Sequence, residues 1–339
     1  MRRGRRLALT RHAKSLTTAA SRPPNSYIPN RGIAAQQHHI IMHLPSEMLH
    51  GSICPVTATI AIAGVAAATL FARKSDTRPS ASRFALVSGT VFALQMLNYP
   101  IGGGLSGHAL GGLLASSLLG TPFGILSVSL VLLLQTLLFA DGGLLMLGAN
   151  TLNMALIGAG LGGALHARLQ AYVGRSVSLV ASAGLSVMAA VGALIAELSA
   201  AGVGSSALYA SLAIHHIPVA LGEGLVTLLL YRLLSAVPLT DAAKGSSPVA
   251  RSAAWTVYGA LLIGALLLAP LASASPDALE GTLSSFHLLP DAPNFAHAPW
   301  ADYQFTADGG YLSTFLAALA GLGATLLSAT LLRRAISRA

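Results

Sequence analysis

The segment YPIGGGLSGHALGG, Tyr99 to Gly112, holds a single histidine, His108, in a glycine-dense break between two long apolar runs. A histidine in apolar surroundings is costly unless it is paired, bound to metal or close to water. A second histidine of interest lies in Met42-His43-Leu44-Pro45. If Met42 opens the working chain, its free α-amine, the His43 amide nitrogen and the His43 ring form fused chelate rings around one cation. Such a nitrogen set suits Ni(II) or Cu(II) in square-planar or tetragonal geometry, and His108 would supply a fourth nitrogen. An α-amine titrates near about 7.7–8.0, so it yields its proton readily to a competing metal. Pro45, with its locked φ, fixes the chain just beyond.

Other polar residues sit within apolar sequence. Asp141-Gly142-Gly143 reads as a turn, with Asp141 either capping the next helix or supporting the site as a carboxylate acceptor. Asn150 and Asn153 lie about one helical turn apart, a spacing that suits hydrogen bonding between helices. In HHIPVALGEGLVT, residues 215–227, an intramembrane carboxylate such as Glu223 is paired or functional by default. His215, His216 and Glu223 form either a polar relay or separate structural pairs. Gly103, Gly107 and Gly111 are four apart, so a helix here would stack them on one close-packing face. Glu197 is expected at the edge of the sixth apolar run. Cys54 is the sole cysteine and rules out a disulfide framework within one chain.

These residues are carried by a membrane protein. Of 339 residues, 54% are hydrophobic and 9% charged, against roughly 25% charged in soluble domains. The net charge of +9 is local. Residues 1–41 hold eight Lys/Arg and no acid, while the remainder holds 12 basic and 11 acidic residues. The body therefore gives no reason to expect nucleic-acid binding. The leader lacks the apolar core of a secretory signal and has some transit-peptide character. His38 and His39 within it read as part of a solvated tail.

A spanning helix needs about 20 apolar residues. Spans are expected near 55–72, 83–99, 106–119, 122–140, 143–167, 177–200 and 206–232, then near 253–272 and 311–332. The third is short and adjoins the glycine break, a pattern that marks binding sites in transporters. Lys/Arg residues follow the first, fifth, seventh and ninth spans, and the loops 100–105, 140–142, 201–205 and 273–310 have none. The positive-inside rule then puts Met42 and His108 outside and the C-terminus in the cytoplasm. The same rule opposes export of the basic leader, so residues 1–41 are expected to be absent from the working protein. The expected fold is all-α, a polytopic membrane helix bundle. It has a seven-helix metal-capture domain over 42–235, a cytoplasmic linker over 236–252 and a two-helix module with an external loop over 253–339.

Several separated motifs resemble the CbiM/NikM family, the substrate-capture components of energy-coupling-factor transporters for cobalt and nickel. They are MHLPSEMLHGSICP from Met42, FALQMLNYPIGGGLSGHALGG at 92–112, LFADGGLLMLGAN at 138–150 and GEGL at 222–225. Ser275-Pro276-Asp277-Ala278-Leu279-Glu280 resembles the PDGLE signature of the accessory component often fused behind the capture component, with Ala278 in place of glycine. Ser46-Glu47 likewise replaces the usual Asp-Gly. The resemblance implies metal ligands at Met42, His43 and His108, with Ni(II) or Co(II) as transported substrate. It also implies a transmembrane coupling subunit, ATPase partners and residence in a bacterial plasma (inner) membrane. Small-residue faces on the first span, Ala63/Ala67 or Gly64/Ala68, are candidate contacts for the coupling subunit or plain bundle packing. The acidic loop 273–310 either attracts cations or caps the molecule.

Two other classes compete. Gly104-Leu105-Ser106-Gly107 fits the GxSG pattern of rhomboid intramembrane proteases, which would need His166 or His215 within hydrogen-bond reach of Ser106. A proton-driven secondary transporter would use Glu223. No phosphate-binding G-x-x-x-x-G-K-[ST] loop occurs in the sequence, so any ATP hydrolysis belongs to partners.

Overall fold

Twenty-two residues without an acid, Ile53–Lys74, with their single proline, Pro55, in the first turn, form the first long helix, α1, which ends on Arg73 and Lys74. Cations in a last turn complement the helix dipole. The computed structural model describes residues 43–45, 48–235, 248–289, 298–306 and 309–338. Met42, Ser46, Glu47 and the leader lie outside them, as does most of the linker.

After α1 come α2 (Ala81–Gln95), a two-stranded antiparallel hairpin of β1 (Tyr99–Gly102) and β2 (Leu105–Gly107), α3 (Gly112–Leu119) and α4 (Thr121–Phe139). Next, α5 (Leu147–Asn150), a π-helical stretch over Thr151–Leu161 and α6 (Gly162–Val173) form one wound segment. Then follow α7 (Arg175–Ala200), α8 (Ser206–Ser235), α9 (Pro248–Leu268), the short α10 (Ala278–Ser285) and α11 (Tyr311–Arg338). The fold is all-α apart from the hairpin. Among the described residues, five helices are long and apolar enough to cross a membrane: α1, α4, α7, α8 and α11.

The glycine break is not a helix. Gly102, Gly103 and Gly104 take φ of +95°, +63° and +78° and turn the chain between β1 and β2. Such values suit glycine and break a right-handed helix. Gly111, at φ +71°, precedes α3. The expected small-residue face therefore does not form, and the third span shrinks to the eight residues of α3.

One core cluster joins Phe84 and Phe92 of α2, Phe123 and Phe139 of α4, Tyr258 of α9 and Leu322 of α11. The last two helices are thus packed into the bundle. A second cluster gathers Leu44, Met146, Leu198, Leu212 and Leu283. It seats the segment at 43–45 and α10 over one end of α7 and α8. By contrast, α1 is mostly exposed, with 17% of its apolar window buried.

Candidate metal-capture site

His43 is buried, with 2% of its surface exposed. Three neighbours place it. Leu44 is anchored in the second cluster, and its backbone N–H donates to Asn150 Oδ1 at 3.1 Å. Asp141 Oδ2 lies 2.8 Å from His43 Nδ1. Gly142 separates these groups: a methyl there would sit 2.5 Å from Asn150 Nδ2 and 2.9 Å from His43 Cβ, and its φ is +79°. Only glycine fits so close an approach in that conformation.

Asp141 does not cap α5, whose N-cap is Met146. It faces His43 instead, and Tyr303 Oη donates to its Oδ2 at 2.7 Å. Burial works to raise the Asp141 carboxyl. The His43 charge, hydrogen bonds from His43 and Tyr303, and the His108 charge outweigh it and hold the carboxyl below its ordinary range. The same arrangement, with burial as the leading cause, pushes the Tyr303 phenol well above its ordinary value.

His108 follows β2 on a loop pinned from both sides. The N–H groups of Leu110 and Gly111 donate to Glu223 Oε2 and Oε1 at 2.7 and 2.9 Å. Gln95 Nε2 donates to the Leu110 carbonyl at 2.8 Å. Glu223 is thus a clamp on the loop that carries His108. Of the two readings, the histidines form separate pairs: His215 Nδ1 pairs with Thr282 Oγ1 at 2.7 Å, and His216 Nδ1 donates to the Leu212 carbonyl at 2.7 Å. Glu197, near the C-terminal end of α7, is buried, and its Oε2 accepts from Asn153 Nδ2 at 3.0 Å.

His43 and His108 meet. Their ring centroids are 6.3 Å apart at 60°, and both line a cavity of about 90 Å³. Its remaining titratable lining is His216 and Asp277, and apolar side chains from α7 complete the wall. His43 Nε2 is buried without a hydrogen-bond partner among the described residues. No group of three or more His, Cys, Asp or Glu side chains there converges as a metal cage.

Sequence reasoning did not assign Asp277 to the site. It lies in the PDGLE-like stretch, yet its Oδ2 is 3.7 Å from His108 Nε2. Its Oδ1 accepts from the Glu280 N–H at 2.8 Å and caps α10. Burial raises the Asp277 carboxyl, and burial followed by the Asp277 and Asp302 charges raises Glu280 to about 8. The protease geometry is absent, since Ser106 Oγ donates to the Ser275 carbonyl at 2.8 Å and His166 pairs with Ser178.

A membrane-capable helix bundle with three histidines and Asp277 around one cavity offers donor types that suit small cations. The comparisons agree. The family model for "Cobalt uptake substrate-specific transmembrane region" matches residues 43–239, and the chain belongs to this CbiM family. It is 29% identical over 280 residues to a probable fused nickel transport protein of Lactiplantibacillus plantarum, covering 74% of this chain and 84% of the relative. It is 42% identical over 123 residues to a putative fused nickel transport protein of Archaeoglobus fulgidus, covering 36% of this chain and 40% of that relative. That match spans well under two thirds of the archaeal protein. A crystal structure of a truncated transition metal transporter aligns at a TM-score of 0.52 with 28% identity, covering 57% of this chain and 98% of the other. These relatives are transport proteins, and the chain is a membrane protein of the same family.

Proposed function

We propose that the chain captures Ni(II) or Co(II) at the outer face of a bacterial plasma membrane as the substrate-specific component of an energy-coupling-factor transporter. The donors are the α-amine of Met42 at the working N-terminus, the amide nitrogen and ring of His43, and the ring of His108. The observation that carries this reading is the meeting of His43 and His108 across one cavity, from positions 65 residues apart in the chain. The family match beginning at His43 adds support, as does the nitrogen-rich donor set, which suits late first-row divalent ions.

Only Nδ1 of His43 can close a six-membered ring with its own amide nitrogen. Nδ1 faces Asp141 in the present arrangement. Metal entry then entails a half-turn of the ring about Cβ–Cγ, which releases Nδ1 and carries Nε2–H toward the Asp141 side. Glu223 keeps His108 in register, and Asn150 keeps residues 43–45 in place.

The loops rich in Lys/Arg favour a cytoplasmic C-terminus, with the metal site outside. Energy comes from ATPase subunits acting through a transmembrane coupling subunit. Its contact surface is assigned to the exposed Ala63/Ala67 face of α1. The alternative face is used internally: Gly64 packs on Leu156, and Ala68 lies in the core.

The test is uptake of radioactive nickel or cobalt by cells carrying the chain and its partner subunits. His108→Ala should abolish uptake while leaving protein in the membrane at normal amounts. Unchanged uptake would overturn the reading.

A further inference from the structure

The cavity that holds His43 and His108 is closed on one side by residues of the C-terminal module, and Asp277 is the charged one among them. The 3.7 Å between its Oδ2 and His108 Nε2 lies beyond hydrogen-bond range, which ends at about 3.2 Å. It is close to twice a metal–ligand bond of about 2 Å. A single cation can therefore touch both atoms at once.

The carboxylate is not free to drift away. Asp277 Oδ1 is committed to the α10 N-cap, and the Leu279 N–H also bonds the carboxylate. The backbone on either side is stitched to the capture domain. Ser106 N–H donates to the Pro276 carbonyl at 2.8 Å, and Ser273 N–H donates to the Asn98 carbonyl at 2.9 Å. Ser106 Oγ donates to the Ser275 carbonyl at 2.8 Å. On the far side of α10, Thr282 Oγ1 uses its hydrogen on the Ala278 carbonyl and so accepts from His215 Nδ1–H. Leu105 fills the space over Gly281. These contacts fix Oδ2 against the cavity before any cation arrives.

We infer that Asp277 is an oxygen ligand of the transported cation, so that the complete capture site is shared between the capture domain and the PDGLE-like module. This rests on the proposed His43/His108 site and adds a hard oxygen donor to its nitrogen set. An added carboxylate moves nickel away from four-coordinate square-planar geometry and admits cobalt more easily. The competing account makes Asp277 a helix cap with a structural pairing to His108.

The two accounts separate on chemistry. Asn and Ser both cap helices well, and neither carries a carboxylate. Purified full-length protein would be titrated with Ni(II) against a competing chromophoric chelator, with the nickel absorption spectrum recorded. Wild type, His108→Ala, Asp277→Asn and Asp277→Ala are the four samples. Asp277→Asn should keep the metal-free melting temperature, weaken nickel binding by more than the roughly 10-fold that loss of a mere orienting partner can cost and shift the spectrum toward the square-planar form. Asp277→Ala should do the same and also lower the melting temperature. If Asn lowers it too, Asp277→Ser takes its place with the same expected result. Wild-type affinity and spectrum in the capping variants, with binding lost in His108→Ala, would overturn this inference alone. Wild-type binding in His108→Ala would overturn the underlying site and this inference with it.

Discussion

His43 is held by a chain of contacts rather than by one partner. Tyr303 donates to Asp141, Asp141 faces the His43 ring, and Asn150 holds the backbone one residue on. Partners of this kind orient a ligating histidine and tune its basicity, and their loss typically costs about 10–100-fold in metal affinity. Asp141→Asn should therefore weaken nickel binding within that range, measured by the same competition titration. The pH dependence has a definite sign. Because the Asp141 carboxyl sits below its ordinary value, its stabilising contribution is complete above about pH 4, the unfolded value. It is lost as pH falls through the folded value. The Asn variant should lose less stability than wild type on acidification below that point, read from melting temperatures.

At the scale of elements, the loop at 108–111 depends on one carboxylate. Glu223 on α8 satisfies two backbone N–H groups that precede α3. A buried donor left without an acceptor costs about 1–3 kcal/mol. Glu223→Gln exchanges one acceptor for an N–H₂ donor pointed at a donor. It should lower the melting temperature and weaken metal binding together, whereas a proton-relay role would leave the melting temperature unchanged.

The long elements were legible in the sequence because apolar runs of spanning length dictate helices, and α1, α4, α7, α8 and α11 follow them. The stretch around His108 was not. Glycines four apart fit a packed helix face, and nothing in that spacing reveals that Gly102, Gly103 and Gly104 adopt positive φ. His43, His108 and Asp141 could be singled out from residue type and from the side of the membrane that the charge pattern predicts for them. Asp277 could not be placed: it follows His108 by 169 positions, and only the docking of α10 on β2 and α8 brings the two together. His216, not His215, reaches the cavity. Adjacent positions on a helix point about 100° apart, and sequence alone leaves that rotation undetermined.

For the molecule as a whole, α1–α8 and the C-terminal helices share one core, and the proposed site lies where they meet. That joint walls the cavity on one side, while α1 keeps an open apolar face, where the proposed coupling subunit would dock. The central claim is that a cation is held in this cavity by backbone and imidazole nitrogen. Nickel K-edge X-ray absorption on the nickel-loaded full-length protein tests it most directly. The account predicts a first shell of nitrogen and oxygen donors, with outer-shell scattering from at least two imidazoles. Sulfur in the first shell, or a spectrum without imidazole scattering, would place the metal elsewhere and contradict the account.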